Sequence, residues 1–232
     1  MNLILIARNA KVLNEMAQEM RDKHNIKVEV IQADFTQDVY DRIEQRLAGK
    51  NIGVLVNNVG LFYPEPMHFN DLELDFTKNL MTTNMTSMTN MLKIVLPIME
   101  KQQKGAIVNI SSILGMIPSP LFSVYSASKC FVINISRALA AEYKDKGITI
   151  QALCPGGVDT GMLSFMPEDK KGNLFVPPPD VFAASAIKTI GFSDYTCGYW
   201  AHSLLSCFFI LSPQQHYKHN LKMLDEIKNN KK

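Results

Sequence analysis

Short apolar runs alternate along the chain with longer segments whose apolar residues recur every three or four positions. The short runs are typical of buried β-strands, and the longer segments are typical of helices with one apolar face. The predicted strands are 2–6, 27–32, 52–56, 106–110 and 148–153. Four helices are predicted. Asn9 is expected to cap the first, whose apolar face includes residues from position 12 to position 20. The other three are 39–47, 71–99 and 125–143. This alternation predicts an α/β fold in which helices cover both faces of a parallel sheet.

The regular pattern stops after Pro155. Segment 161–180 contains scattered glycine and proline and a run of three prolines, so it is predicted to be a long loop. Long loops in compact domains are usually lids or disordered segments, and we expect a substrate lid. Segment 199–211 is apolar but has 13 residues, whereas a bilayer-spanning helix needs about 20. It is expected to lie on a membrane or to pack in a core. The lysine-rich end, 222–232, is predicted to be a solvated tail.

Composition narrows the class of protein. The chain has 232 residues, of which 47% are hydrophobic and 20% charged, and this is ordinary for a globular protein. We expect a single domain spanning the chain, and no disordered or low-complexity architecture. A net charge of +2 gives no general reason to bind nucleic acid. The four cysteines form no CxxC pair and the five histidines show no metal-ligand spacing, so no metal site is predicted.

The sharpest chemical signal is Tyr125 followed four residues later by Lys129. On a helix, residues at this spacing share a face. An ammonium group near a phenol favours the phenolate, so we expect the pKa of Tyr125 to fall below about 10 and the phenol to exchange protons near neutral pH. A surface contact between tyrosine and lysine would give the same spacing.

Small polar residues and glycines follow three predicted strands. Asn57–Gly60 (NNVG) follows strand 52–56, Ser112 follows strand 106–110, and 155–160 (PGGVDT) follows strand 148–153. Ligands of open α/β sheets bind at the carboxyl ends of strands, so the three positions point to one crevice. Turns and helix caps use the same residue types and would explain each position by itself.

Taken together, NNVG, Ser112, YSASK at 125–129 and PGGVDT resemble the short-chain dehydrogenase/reductases in order and spacing. The resemblance covers about residues 2–160. Segments 57–111 and 191–202 (GFSDYTCGYWAH) look like the membrane-associated 17β-hydroxysteroid dehydrogenase and very-long-chain 3-oxoacyl-CoA reductase branch. The resemblance implies a Rossmann-like, doubly wound parallel sheet.

The resemblance also implies a catalytic tetrad. Tyr125 would protonate a substrate carbonyl as hydride arrives, and Lys129 would lower the pKa of Tyr125 and hold the nicotinamide ribose. Ser112 would hydrogen-bond the carbonyl, and Asn84 would hold a water molecule in a proton relay.

For the cofactor, the resemblance implies that Asp34 contacts adenine and that Arg8, at the end of the first strand, faces the 2′ position of the adenosine ribose. An arginine there suits a 2′-phosphate, so NADPH is expected rather than NADH. A solvated cation at a strand end is the alternative for Arg8. The other residues expected along the cofactor are Asn58, Gly60, Pro155, Gly156, Val158 and Thr160, together with Tyr125 and Lys129.

One part of the family pattern is missing from this sequence. Members begin with a strand, a glycine-rich turn and a helix before the strand that is the first one predicted here. The 12 glycines of this chain form no such cluster, and Gly49 is the first of them. Because that turn brings the backbone close to the pyrophosphate, much of the phosphate-binding free energy is expected to be lost. The expectation is a truncated isoform, a misplaced start codon or a fragment, in which the first strand and helix of the fold are absent.

These observations lead to two functional hypotheses. The first is an NADPH-dependent oxidoreductase that reduces a ketone on a large apolar substrate, a 3-oxoacyl-CoA or a 17-ketosteroid. The second is a catalytically impaired chain that acts as a dimer partner of a full-length relative. By resemblance, the expected location is the surface of the endoplasmic reticulum membrane, with peripheral membrane contact; the truncated chain alone would be cytoplasmic. A homodimer is expected through helices 71–99 and 125–143.

Overall fold

A computed structural model of the chain describes residues 1–230. The contacts within it divide into two compact units, Met1–Lys50 and the remainder from Asn51 onwards. Each unit is described by itself below. The expectation of a single domain stays a prediction.

The first unit is a β-α-β-α segment. It consists of β1 (Leu3–Ala7), α1 (Ala10–His24), β2 (Val28–Gln32) and α2 (Tyr40–Leu47). The two strands pair in parallel over five residues each, and the helices bury Leu13, Ala17 and Ile43. The side chain of Asn9 accepts a hydrogen bond from the backbone N–H of Val12, which confirms its predicted role as the helix cap.

The second unit contains a four-stranded parallel sheet. Its strands are β3 (Val54–Asn57), β4 (Gly105–Ile110), β5 (Ile148–Leu153) and β6 (Tyr195–Thr196), in the order β3-β4-β5-β6. Because the strands are parallel, their carboxyl ends lie at one edge of the sheet. Asn57 is opposite Asn109, and Ile110 is opposite Leu153. The predicted α/β class is confirmed, although the strands form two separate sheets rather than one. The short β6 was not predicted.

The predicted helix 71–99 is three consecutive helical pieces. They are α3 (Leu74–Met81), one π-helical turn (Thr82–Thr86) and α4 (Ser87–Gln102). The helix continues for five residues beyond Pro97. The predicted helix 125–143 is α5 (Ser123–Tyr143), which buries one face against β5 and β4.

After β5 the chain is more helical than predicted. The expected loop 161–180 contains two 3₁₀ turns, Gly161–Leu163 and Glu168–Lys170, and its last two residues begin α6 (Pro179–Ala186). The apolar segment 199–211 forms α7 (Trp200–Leu211). Over the described residues, no helix combines the length and the apolar character that crossing a bilayer requires.

The last described element is α8 (Pro213–Asn230). The predicted solvated tail is helical up to residue 230 and buries Leu224, whereas Lys222 is exposed as predicted. Residues 231–232 lie outside the described residues. Buried Leu224 and fully buried His216 explain the helix, because they pack one of its faces against the protein.

Two glycines with positive φ provide a matched test of local packing. Gly147 precedes β5 with φ +70°, and a Cβ atom there would collide with the backbone carbonyl oxygen of Gln103. Gly172 has φ +66° and nothing within 4 Å of the Cβ position. Gly172→Ala is expected to lower the free energy of unfolding by about 1 kcal/mol, from backbone strain alone. Gly147→Ala is expected to lower it by about 2–4 kcal/mol, since strain and collision add. Urea unfolding measures both, and equal losses would contradict the packing at Gly147.

Candidate active site

Tyr125 and Lys129 lie on one buried face of α5, as their spacing predicts. Each side chain is about 5% exposed. The Nζ atom of Lys129 lies 5.6 Å from the centroid of the Tyr125 ring. The surface-contact alternative for this pair is therefore wrong, because both groups are inside the protein.

Ser112 is held next to Tyr125 by a turn that is packed on α5. A hydrogen bond joins the side chains of Ser112 and Tyr125. The Ser112 Oγ atom also accepts from the backbone N–H of Leu114 at 3.1 Å, so Ser112 caps the 3₁₀ turn Ile113–Gly115. A Cβ atom at Gly115 would lie 2.6 Å from the carbonyl carbon of Lys129. Only glycine allows the turn to approach α5 this closely.

Asn84 sits in the π-helical turn and is almost fully buried. Its Oδ1 atom accepts from the Leu61 N–H at 2.7 Å, and its Nδ2 atom donates to the Leu61 carbonyl at 3.0 Å and to Ser128 Oγ at 3.1 Å. The amide therefore bridges the loop after β3 to α5, directly beside Lys129. Single π-helical turns inside helices are often found at functional sites.

The ammonium group of Lys129 is held at the carboxyl end of β4. Its Nζ atom donates to the Ile110 carbonyl at 2.9 Å. Burial lowers the pKa of Lys129 to about 8, and this desolvation outweighs a smaller opposing contribution from Cys154. A Cβ atom at Gly60 would lie 3.5 Å from Nζ and 3.4 Å from Asn84 Oδ1. Gly60 therefore lies beside Lys129 and Asn84, and its expected role along the cofactor stays a prediction.

The pKa of Tyr125 moves in the direction opposite to the prediction. Burial raises the pKa of Tyr125 to about 12, and the hydrogen bond from Ser112 lowers it only in part. The prediction was wrong because spacing shows that Lys129 is near but not how dry the site is. In addition, the ammonium faces the tyrosine ring and bonds to Ile110 rather than to the phenol. At neutral pH the phenol keeps its proton.

Aromatic rings cover the side of Tyr125. Phe62 meets the Tyr125 ring edge-on with centroids 4.5 Å apart, and Phe122 stacks on Phe62 at 5.1 Å. Phe165, from the expected lid, stacks on Phe62 at 6.0 Å. The sequence analysis missed Phe62 and Phe165. Phe62 could have been suspected, because it is the second residue after the NNVG segment.

The other residues of the second unit that were expected along the cofactor differ in their contacts and burial. The Pro155 carbonyl accepts from the Ile113 N–H at 2.9 Å, which ties the turn after β5 to the turn of Ser112. Gly156 packs against His202, a residue that the sequence analysis did not select. Val158 is partly buried, whereas Asn58 and Thr160 are exposed.

Arg8 and Asp34 belong to the first unit. Arg8 is exposed just after β1. The carboxylate of Asp34 accepts from the backbone N–H and the hydroxyl of Thr36, and these bonds lower the pKa of Asp34, with a smaller contribution from the charge of Arg8. The two residues therefore lie near each other at the ends of neighbouring strands.

Lys129 should make stability depend on pH. The pKa of Lys129 falls from 10.5 to about 8 on folding, so below pH 8 the folded chain bears the full cost of burying the charge. Between these values the unfolded chain binds more protons, and the free energy of unfolding rises with pH by up to about 3 kcal/mol. Lys129→Met is expected to remove this rise. Urea unfolding from about pH 7 to about pH 10 measures it, with exposed Lys93→Met as the control; parallel profiles of wild type and Lys129→Met would contradict the burial.

The chain is similar in sequence to known proteins. The model of the short chain dehydrogenase family matches residues 1–171. The chain is 44% identical to the very-long-chain 3-oxoacyl-CoA reductase of Bos taurus over 209 residues, covering 89% of this chain and 66% of the bovine protein. It is 38% identical to the inactive hydroxysteroid dehydrogenase-like protein 1 of Homo sapiens over 216 residues, covering 92% of this chain and 66% of that protein.

A solved structure leads to the same family. A short-chain dehydrogenase from Sphingobium yanoikuyae in complex with NADPH superposes with a TM-score of 0.73 and 31% identity, over 81% of this chain and 74% of that one. The chain thus spans about two-thirds of the length of the curated relatives it matches. On the family match, these relatives and the parallel α/β fold, the chain belongs to the short chain dehydrogenase family of oxidoreductases.

Proposed function

We propose that this protein reduces a ketone on a large apolar substrate with NADPH. The observation that carries the proposal is the buried cluster of Tyr125, Ser112 and Lys129 beneath aromatic rings. A proton donor, a hydrogen-bonding hydroxyl and a cation meet there within a dry site, which is the arrangement that reduction of a carbonyl needs.

Each residue of the cluster has a separate role in the proposed reaction. When bound, the nicotinamide supplies the hydride. Ser112 donates a hydrogen bond to the carbonyl oxygen of the substrate, and Tyr125 passes its phenolic proton to the same oxygen as negative charge develops there. The charge of Lys129 stabilises the phenolate that remains. A pKa of about 12 suits a phenol that must hold its proton until an alkoxide forms beside it.

The residues present fit the nicotinamide–ribose end of the cofactor. An ammonium group has three hydrogens, and within the described structure one of those on Lys129 is donated to a protein acceptor, the Ile110 carbonyl. The others are free for ribose hydroxyls. Gly60 leaves room beside Lys129, where a side chain would meet the ammonium. Exposed Arg8 supports recognition of a 2′-phosphate, and NADPH is bound by the similar Sphingobium protein.

The aromatic rings favour an apolar substrate. Phe62 and Phe165 continue the surface of the Tyr125 ring toward the lid, where an acyl chain or a steroid nucleus would bury apolar area. The names of the similar reductases make a 3-oxoacyl thioester the first candidate. A 17-ketosteroid, which only the resemblance in sequence implies, is the second.

The exposed residues of α7 support contact with a membrane surface. Trp200, Leu204, Phe208 and Leu211 recur at helical spacing, and each is more than half exposed. A substrate with a long acyl chain would reach the lid from that surface.

The alternative is a chain without catalytic activity. One observation favours it: a relative named as inactive is 38% identical. Titration of NADPH into the folded chain, followed by nicotinamide fluorescence, separates the two. Micromolar affinity supports the reductase, and no binding supports the alternative.

Tyr125→Phe tests the proton donor. The ring and its contact with Phe62 remain, but the hydroxyl is lost, so ketone reduction is expected to fall by at least about 10³-fold. NADPH affinity should change by less than about 3-fold. Stopped assays of 3-oxoacyl thioester reduction and NADPH titration measure the two quantities. Tyr63→Phe, which removes a buried hydroxyl that accepts from Val124 rather than from Ser112, is the control. Turnover by Tyr125→Phe at the wild-type rate would refute the assignment.

Arg8→Asp tests the choice of cofactor. Replacing the cation with a carboxylate should weaken NADPH binding by about 10–100-fold, because a charge-assisted hydrogen bond to phosphate becomes a repulsion. NADH binding should stay level or improve. Fluorescence titrations with both cofactors measure this, with Lys104→Asp as an exposed control of equal charge change. Equal losses for NADPH and NADH would show that Arg8 does not read the 2′ position.

A further inference from the structure

His202 is a buried polar residue that the proposed reaction does not use. It lies in α7, a helix without charged residues, and its side chain is 0% exposed. Its neighbour in sequence, Trp200, is 58% exposed. A buried imidazole costs free energy unless its polar atoms are satisfied, so the contacts of this ring indicate why it is there.

The ring of His202 joins two segments that flank the site. Its Nε2 atom lies 3.2 Å from the backbone carbonyl oxygen of Phe175 in the lid. Because a carbonyl can only accept, Nε2 carries the hydrogen and donates it. At the same edge of the ring, a Cβ atom at Gly156 would lie 2.8 Å from the Cδ2 atom of His202 and 3.2 Å from its Nε2 atom. The rings of Tyr199 and Phe182 lie 5.1 Å and 5.6 Å from the imidazole, centroid to centroid.

The lid is anchored at the end that His202 contacts. Val176 is buried, and its Cγ2 atom lies 3.3 Å from the Cβ position of Gly157. The carbonyl of Pro177 accepts from the Asp159 N–H at 3.0 Å. Residues 167–170 and 172–175, in contrast, are exposed. The anchored end therefore lies against the turn that follows β5, and the rest of the lid extends from it.

We propose that His202 is a positioning residue that fastens the substrate lid to the glycine turn after β5 through its Nε2 hydrogen. The substrate part of this statement rests on the proposed function. The ring fills the space that Gly156 leaves, and the hydrogen bond holds the lid at Phe175. Loss of the donor would loosen the lid without touching Tyr125, Ser112 or Lys129.

A matched pair of variants isolates the hydrogen bond. His202→Gln keeps a nitrogen donor at nearly the reach of Nε2, whereas His202→Met has similar length and volume but no donor. His202→Met is expected to raise the KM for the 3-oxoacyl substrate by about 5–10-fold relative to His202→Gln, which corresponds to the loss of one hydrogen bond. Changes in kcat and NADPH affinity should stay below about 2-fold. Equal KM values for His202→Gln and His202→Met would overturn the proposal.

Proteolysis tests the lid without requiring turnover. The lid carries two trypsin sites, Lys170 and Lys171, which are held by ion pairs with Glu226 and Glu168. Cleavage at these sites should be at least about 5-fold faster in His202→Met than in His202→Gln, in parallel with the open population of the lid. Equal cleavage rates would overturn the anchoring. A clear difference in cleavage with no reductase activity in the wild type would instead remove the proposed function and leave the anchoring in place.

A double-mutant cycle tests the packing of the imidazole against the glycine turn without using His202→Met. Gly156→Ala should lower Tm by about 4–8 °C in the wild type, because the new Cβ meets the imidazole. In His202→Ala, the space is open, and the same change should lower Tm by less than half as much. Additive shifts would show that the glycine turn and the ring do not press on each other, which would overturn the proposal.

Discussion

The site is organised by one buried ammonium group. Removing a lysine side chain from water is costly, and Lys129 is compensated by a single carbonyl of Ile110 at the end of β4, among the acceptors of the described structure. That bond requires α5 to lie directly on the sheet. Gly115 permits the close approach, and the Ser111 hydroxyl donates to the Lys129 carbonyl at 2.7 Å. This contact between the turn after β4 and α5 also brings Ser112, which lies in the turn, next to Tyr125, which lies in α5.

A dry site also explains why the pKa values of the phenol and the ammonium, which are close together in water, move apart in opposite directions on folding. Burial disfavours the charge on each group, so the phenol holds its proton more tightly and the lysine less tightly. In the proposed reaction, an alkoxide that develops between Ser112 and Tyr125 would find a hydrogen-bond donor and a nearby cation, with little water to compete. The aromatic rings of Phe62 and Phe165 maintain this dryness on the side of the lid.

Sequence reasoning worked where local periodicity carries the information. The strands β1 to β5 have apolar runs, and the spacing of Tyr125 and Lys129 places them on one face whatever the tertiary contacts are. Prediction from the sequence failed for properties that depend on which residues the tertiary structure buries. The direction of the Tyr125 shift depends on rings from distant segments, and α8 is held by Leu224 and His216 inside a largely polar sequence. The two-residue β6 is defined by pairing with β5 rather than by its own pattern. Nothing in the sequence distinguishes His202 from the other histidines, because its contacts with Gly156 and Phe175 arise only in the folded structure.

The π-helical turn at Thr82–Thr86 has a consequence for the whole of α4. A π turn accommodates one residue more than an α turn, and each residue rotates a helix by about 100°. Deleting one residue from this turn would therefore rotate everything after it by nearly a third of a revolution. The buried stripe of α4, which includes Met88, Leu92, Val95 and Met99, would face away from its present contacts. The extra residue at Asn84 thus sets the rotational phase of the helix, and evolution cannot remove it without redesigning the surface that α4 buries.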